Sequence, residues 1–209
     1  ENNLGNEQPQ DGSNYAGIRA YSYNDKEARS YISSKLKSTM KKGQKYCVTF
    51  YVNLAESSKY ASNNLGINFS KKQYQIDADK SILTNTNTIM HKDNPVFNAR
   101  FGWEQICGVY TAEGGEKFLT IGNFLSNGET TNERLKKTKD FNGSTVMSAY
   151  YFIDNVSVVM IDDESECKCR ADERTVETKF VFSSAPISTE GLEPAQVAQF
   201  TTIYYGYGE

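Results

Sequence analysis

Residues 150–160 read YYFIDNVSVVM, and this density of β-branched and aromatic residues is typical of a β-strand. Apolar positions within the run are unevenly spaced, since Ile153 and Val156 lie three residues apart and Val158 and Met160 then follow at intervals of two. Side chains alternate between the two faces of a strand, so the longer interval predicts a β-bulge at Asp154 and Asn155. We interpret this run as the closing strand of an antiparallel β-sandwich, in which the bulge turns the Asp154 carboxylate toward a loop or an ion.

The chain before residue 150 contains further runs with strand patterning, separated by turn residues. Residues 45–54 (KYCVTFYVNL) are bulky on both faces, which predicts a central strand. Residues 103–111 and 117–124 flank a turn containing Gly114 and Gly115, and we predict that they pair as a hairpin. Other strands are predicted at residues 15–24, 28–36 and 65–69, with connections at 55–64, 70–97 and 126–148. Together these runs predict an all-β fold, an antiparallel β-sandwich of the jelly-roll type.

Composition limits the classes of function. The chain has 209 residues, of which 38% are hydrophobic and 12% aromatic, enough apolar and aromatic area for a folded core. A net charge of -3 without an extended basic cluster argues against a nucleic-acid partner. No apolar run approaches the roughly 18 residues of a membrane helix, so no transmembrane segment is predicted.

The patterning changes after residue 161. An acidic run at residues 162–166 (DDESE) predicts a solvated linker, and residues 177–182 and 196–205 resemble short strands. The predicted organisation is therefore a leader loop at 1–14, a sandwich at 15–161, and an acidic linker with a C-terminal strand segment at 162–209.

Four cysteines leave three disulfide connectivities open. Cys47 and Cys107 fall in predicted strands, either as buried thiols or as a cross-strand disulfide. Cys167 and Cys169 form a C-x-C pair whose side chains share one face of an extended strand. One C-x-C and a single histidine argue against a zinc site.

Three strings in order carry a family resemblance: residues 15–70 (YAGIRAYSYN to LGINFS), 101–124 (FGWEQICGVYTAEGGEKFLTIGNF) and 150–159 (YYFIDNVSVV). They resemble a galactose-binding-like, carbohydrate-binding-like jelly-roll module of Bacteroidetes surface proteins. Such modules often stand ahead of an OmpA-like domain in outer-membrane-associated proteins, and residues 200–209 (FTTIYYGYGE) are similar to the first strand of such a domain. The resemblance implies a cell-surface, outer-membrane-associated or periplasmic place for the chain.

The resemblance also bears on a metal site. Family members usually begin with a strand that ends in an Asn-x-x-Phe-Glu-like motif, and no such string precedes Tyr15. We therefore expect that this chain lacks the first strand or that its tail replaces it. Asp154 is the candidate metal ligand, with calcium as a structural ion, because calcium prefers oxygen ligands of this kind. The alternative is a carboxylate that accepts hydrogen bonds from nearby turn amides.

Catalytic arrangements are missing from the sequence. The single histidine, His91, lies in a polar connection and is expected to be an exposed loop residue, so no triad is predicted. No predicted strand carries alternating carboxylates of the kind that a glycosidase on this fold needs. We predict that the chain is not an enzyme.

Two binding functions remain. The first is a structural or docking module that contacts other outer-membrane or surface proteins, with residues 70–97 and 126–148 as recognition loops. The second is glycan binding, for which Trp103, Tyr74, Phe101 and Tyr23 are the candidate stacking residues. For Trp103 we favour the alternative that its ring packs in the core.

Overall fold

The computed structural model describes residues 3–74, 88–139 and 141–169. The chain divides into a compact unit of residues 1–175 and a smaller unit of residues 176–209. The strands predicted at 177–182 and 196–205 lie outside the described residues, so the predicted boundary near residue 162 stays a prediction.

Within the described residues, ten strands form the fold, together with short 3₁₀ turns. They are β1 (Ala16–Ser22), β2 (Ile32–Lys35), β3 (Lys45–Leu54), β4 (Tyr60–Ser62), β5 (Leu65–Ser70), β6 (Thr88–Met90), β7 (Glu104–Thr111), β8 (Phe118–Asn123), β9 (Asn132–Arg134) and β10 (Ser148–Ile161).

The strands build two antiparallel four-stranded sheets, confirming the predicted all-β sandwich of jelly-roll type. The first sheet has the order β1-β10-β3-β7 and the second the order β2-β8-β5-β6, while β4 and β9 form a separate ribbon. Alternate side chains of each sheet enter a shared core, in which Ile18, Phe50, Ile67, Ile106 and Tyr151 are fully buried. β3 lies between β10 and β7, so the strand predicted to be central is central.

The bulge predicted in the closing strand is confirmed. Asp154 lies opposite Tyr51 whereas Ser157 lies opposite Thr49, so β10 contains one residue more than β3 across this interval. Asn155 has a φ of 45°, a left-handed conformation that Asn tolerates better than most residues. The bulge marks the point where β10 loses β1 as a neighbour, because β1 pairs only with residues 148–153.

The predicted hairpin is wrong. β7 pairs with β3 in the first sheet, whereas β8 pairs with β2 and β5 in the second, so residues 112–117 carry the chain from one sheet to the other. Glu116 organises this crossing from a buried position, where its carboxylate accepts hydrogen bonds from the Tyr110 hydroxyl and from the amides of Glu113 and Gly114. Burial by itself raises the pKa of the Glu116 carboxyl, but these hydrogen bonds together hold that pKa below its ordinary value.

Three short strands lie where connections were predicted. β4 falls in residues 55–64, β6 in 70–97 and β9 in 126–148, and each contains only three residues. Their pairing is tertiary, since β4 meets β9 from a distant part of the chain and β6 adds to the edge of β5.

Candidate functional site

Residues 3–11, which we call the strap, lie along the outer face of the first sheet. The strap has no regular secondary structure, but side chains of the sheet and its loops bind its backbone at several points. The Glu56 carboxylate accepts from the amide of Asn6 at 2.9 Å, and the Trp103 indole donates to the carbonyl of Gln8 at 2.8 Å. Gly5 is buried over the Phe152 ring, where an added Cβ would lie 3.1 Å from the ring. The strap therefore covers aromatic surface that would otherwise face solvent.

Asp154 holds the far end of the strap. Its Oδ2 accepts from the amides of Gln10 at 2.8 Å and Asp11 at 3.2 Å, and its Oδ1 accepts from the amide of Asn155 at 2.7 Å. Within the described residues, Asp154 belongs to no cluster of three acidic, histidine or cysteine side chains that could share an ion. The neighbouring side chains do not by themselves supply a calcium ligand set, so calcium at Asp154 stays a prediction.

We expect Asp154→Ala to lower the free energy of unfolding by roughly 1–3 kcal/mol, because three amides lose their acceptor. Urea unfolding measures the change. Asp11→Ala is the control, since Asp11 is an acidic residue at the same end of the strap, but it is exposed and its carboxylate accepts no hydrogen bond from any described residue. A chelator that lowers the melting temperature of the wild type and leaves the variant unchanged would assign the effect to calcium. Equal stability of the variant and the wild type would contradict the role of Asp154 in holding the strap.

A cleft of about 1060 Å³ lies beside the strap. Amide, carboxyl and aromatic side chains line it, among them Asn6, Gln8, Tyr15, Glu56 and Asn142. In the described part of the chain the side-chain amides of Asn6, Gln8 and Asn142 bind no protein group, and all three residues are exposed. The Tyr15 ring packs on Phe152 at 4.7 Å between centroids, which fixes its orientation at the cleft.

The second half of β10 forms an open edge, defined here as residues 156–160. On one side this edge pairs with β3, from Ser157 opposite Thr49 onward. No strand in the described ranges pairs with its other side, so backbone amides and carbonyls there have no ladder partner. Three of its apolar residues are exposed: Val156 by 41%, Val159 by 55% and Met160 by 57%.

A groove of about 410 Å³ runs between the open edge and β2, the edge strand of the second sheet. Leu36, Met40, Tyr46, Val156 and Val158 give it an apolar floor and walls. On the β2 side Lys35 and Lys37 are exposed and make the rim basic. The groove and the open edge are therefore continuous, because Val156 and Val158 belong to both.

The four cysteines form two disulfides, Cys47–Cys167 and Cys107–Cys169. Both alternatives predicted for Cys47 and Cys107 are wrong: they are neither thiols nor bonded to each other. The register explains why, since Thr49 and not Cys47 lies opposite Cys107, so the two cysteines are diagonal neighbours on the outer face. Each instead bonds to one member of the C-x-C pair, which ties residues 167–169 across β3 and β7.

Polar contacts fix the position of residues 161–166, which lead to these disulfides. Lys45 pairs with Glu164 at 2.8 Å, and the Gln44 side-chain amide donates to the carbonyl of Ile161 at 2.8 Å. The hydrogen bond to Glu164 raises the pKa of Lys45. Asp163 caps a 3₁₀ turn at Glu164–Glu166 by accepting from the amide of Ser165. The first residues of the predicted acidic linker thus form an ordered turn against the start of β3.

The four aromatic residues predicted as a sugar platform are dispersed. Trp103 is half-buried and holds the strap, and Phe101 is 69% exposed in the loop before β7. Tyr23 stacks on Tyr60 at 5.6 Å, eight residues beyond Tyr15 and thus about 25 Å along the β1 direction. Tyr74 follows β5 in the second sheet and donates to the Asn68 side chain at 2.7 Å. No ring contact joins any two of them in the described residues, and a role in sugar binding stays a prediction for each.

His91 is buried, so the predicted exposed loop histidine is wrong. Its exposed fraction is 5%, and its ring meets the edge of Phe97 at 6.2 Å. The Asp93 amide donates to His91 Nδ1 at 3.2 Å, which closes a turn after β6. This histidine therefore has a structural role in the loop that follows β6.

No protein-family profile and no curated protein sequence matches the chain. Among solved structures, the chain is similar to the CBM22-1 xylan-binding domain from Paenibacillus barcinonensis Xyn10C, with 14% sequence identity and a TM-score of 0.36. That match covers 75% of this chain and 78% of the other. A likeness of this size carries no argument about binding, and the fold assignment rests on the strand pairing above.

Within the described residues, no helix is long and apolar enough to cross a membrane.

Proposed function

We propose that this chain is a non-catalytic docking module in an outer-membrane-associated protein assembly, and that its partner binds by adding a β-strand to the open edge. The observation that carries the proposal is the exposed apolar edge at residues 156–160. Sheet edges in soluble proteins are ordinarily protected by charged residues, proline or a covering segment, and residues 156–160 contain neither charge nor proline. An edge that neither charge nor proline protects, and that no described strand pairs with, is suited to strand addition, in which backbone hydrogen bonds give affinity and alternate side chains give specificity.

The groove defines the partner's chemistry. A partner strand added beside β10 would point every second side chain toward Leu36, Met40 and Val158. We therefore expect these alternate residues of the partner to be apolar. Lys35 and Lys37 on the opposite rim favour acidic residues at the flank of the same segment. The partner is thus an extended segment with alternating apolar residues and acidic flanks.

The cysteines support the proposed location. Paired disulfides persist in oxidising compartments such as the periplasm and the cell surface, and both cysteine pairs of this chain are bonded. The resemblance to modules that stand ahead of an OmpA-like domain agrees with a place in the cell envelope.

We expect the double substitution Val159→Lys with Met160→Lys to weaken partner binding at least tenfold, which is about 1.4 kcal/mol. Lysine on a sheet edge opposes pairing with a further strand, and because both residues are largely exposed the free energy of unfolding should change by less than about 1 kcal/mol. The probe is a synthetic peptide that alternates apolar and polar residues between acidic ends, measured by calorimetry and by amide exchange at residues 156–160.

The matched control is Phe101→Lys with Met147→Lys, which adds the same charge at exposed apolar residues away from the edge. A peptide of the same composition with the alternation scrambled should not bind. If the control variant loses binding as strongly as the edge variant, or if no amide of the edge gains protection, strand addition is excluded.

The cleft beside the strap supports glycan binding as a second function. Unpaired side-chain amides together with an oriented tyrosine ring are the groups that bind sugar hydroxyls and C–H faces. We expect Asn142→Ala to lower the affinity for a soluble oligosaccharide of the cell envelope or plant cell wall about tenfold, while Asn14→Ala, an exposed asparagine outside the cleft, leaves it unchanged. A glycan microarray followed by titration of any positive glycan tests this, and equal loss in both variants would place the sugar elsewhere.

A further inference from the structure

The two disulfides change the path that tension takes through the chain. Cys47 and Cys167 are separated by 120 residues in sequence, and Cys107 and Cys169 by 62. The first bond closes a covalent loop that contains most of β3 and all of β4 to β10. Consider a force applied between the residues before Cys47 and the residues after Cys169. This force passes from Cys47 to Cys167 through the disulfide, and the loop carries none of it.

We infer that the paired disulfides are a tension-bearing clamp, which transfers a load on the chain beyond Cys169 into β3 and β7 and shields residues 48–166 from extension. The Cys107–Cys169 bond is a second crosslink within the clamp. If the Cys47–Cys167 bond is lost, Cys107–Cys169 still closes a loop, so the load then enters the first sheet through β7 alone.

Contacts around the clamp fix where the load enters. The Lys45–Glu164 pair and the Gln44 hydrogen bond hold residues 161–164 against the start of β3. Cys167 and Cys169 therefore bond to two neighbouring strands, β3 inside the first sheet and β7 at its edge, which are joined by a hydrogen-bonded ladder. A load at the clamp is thus shared between two paired strands and does not fall on one strand alone.

The clamp has a consequence for docking that rests on the proposed function. The open edge belongs to β10, and β10 lies wholly within the shielded loop. Its pairs with β3 from Val48 to Leu54 also lie inside the loop and are then maintained when the chain is pulled from its C-terminal side. A bound partner strand would stay attached to an intact sheet under the same load.

Single-molecule force spectroscopy on the full chain, held between marker domains at both ends, tests the clamp. Complete extension of the oxidised chain should fall short of the reduced chain by 120 residues, which is about 40 nm at roughly 3.5 Å per residue. The variant C107S/C169S should retain this difference. The variant C47S/C167S should show a difference of only 62 residues, about 20 nm.

Extended length depends on the crosslinks and not on whether a variant folds, so a poorly folded variant still gives a usable result. Equal lengths for the oxidised and reduced wild type would overturn the clamp. So would a C107S/C169S variant that loses the 120-residue difference, because tension would then follow another path. These lengths are measured without any partner, so the clamp can fail while docking holds, and docking can fail while the clamp holds.

Discussion

Replacement of Cys47 and Cys167 by serine is expected to lower the free energy of unfolding by about 4–5 kcal/mol, the largest effect of any single crosslink in this chain. The disulfide closes a loop of 120 residues, and the loss of chain entropy in the unfolded state grows with loop length. The bond between Cys107 and Cys169 closes a shorter loop of 62 residues, so its removal should lower the free energy by about 4 kcal/mol.

Urea unfolding of the wild type, of the two double variants and of a variant without cysteine measures both effects. The slope of the free energy against urea should rise as crosslinks are removed, because the unfolded chain then exposes more surface. The variant without cysteine is the control for the reductant, which should destabilise the wild type and leave this variant unchanged. Wild-type stability in either double variant would show that the corresponding bond does not form.

Loss of both bonds approaches the whole stability of an ordinary domain, about 5–15 kcal/mol. The reduced chain is therefore expected to be largely unfolded in a warm reducing environment. Such dependence on disulfides is typical of proteins that work in an oxidising compartment.

Long strands were predictable because their own residues determine them. β3 and β10 have a side-chain period of two over ten and fourteen residues, and the single irregular interval in β10 indicated the bulge at Asp154 and Asn155. β4, β6 and β9 contain three residues each, which is too few for a period to stand out from the surrounding loops. Their extended conformation depends on strands far away in the sequence.

The crossing from β7 to β8 shows a different limit. Gly114 and Gly115 both have positive φ, so the turn prediction was right. The crossing that follows the turn is held by Glu116, whose buried carboxylate accepts hydrogen bonds from amides of the same loop. A local turn signal does not state which sheet the next strand joins.

The candidate sites were harder to predict than the fold. The strap has no periodicity, and its attachment through Glu56 and Asp154 joins residues about 50 and 144 positions apart. The open edge has a sequence signal that could have been used: residues 155–161 lack the charges and proline that protect an edge. The disulfide pattern needed the register of β3 on β7, since the C-x-C spacing alone fits more than one partner.

We expect Tyr151→Phe to lower the free energy of unfolding by about 2–4 kcal/mol, although it removes a single oxygen atom. Tyr151 is fully buried in β10, and its single hydroxyl proton is shared between the carbonyls of Phe97 at 2.8 Å and Ser62 at 3.0 Å. The same oxygen accepts from the amide of Ser62 at 2.7 Å. The hydroxyl thus joins the closing strand to β4 and to the loop after β6. Burial excludes water from this oxygen and raises the pKa of the Tyr151 hydroxyl.

Phenylalanine in this position would leave the Ser62 amide without its acceptor and would remove the hydroxyl donor from the Phe97 carbonyl, whereas the Ser62 carbonyl would keep the Phe97 amide as a donor at 3.2 Å. Each unsatisfied buried group costs about 1–3 kcal/mol before the structure relaxes. Tyr150→Phe is the matched control, because the neighbouring tyrosine is half-buried and its hydroxyl binds no group in the described residues. Urea unfolding should therefore separate two substitutions of identical chemistry on adjacent residues of one strand. Amide exchange at Ser62 should accelerate in the Tyr151 variant and not in the Tyr150 variant, since only the first removes its acceptor. Similar losses of stability in both variants would mean that the Tyr151 hydroxyl does not hold β4 to the closing strand.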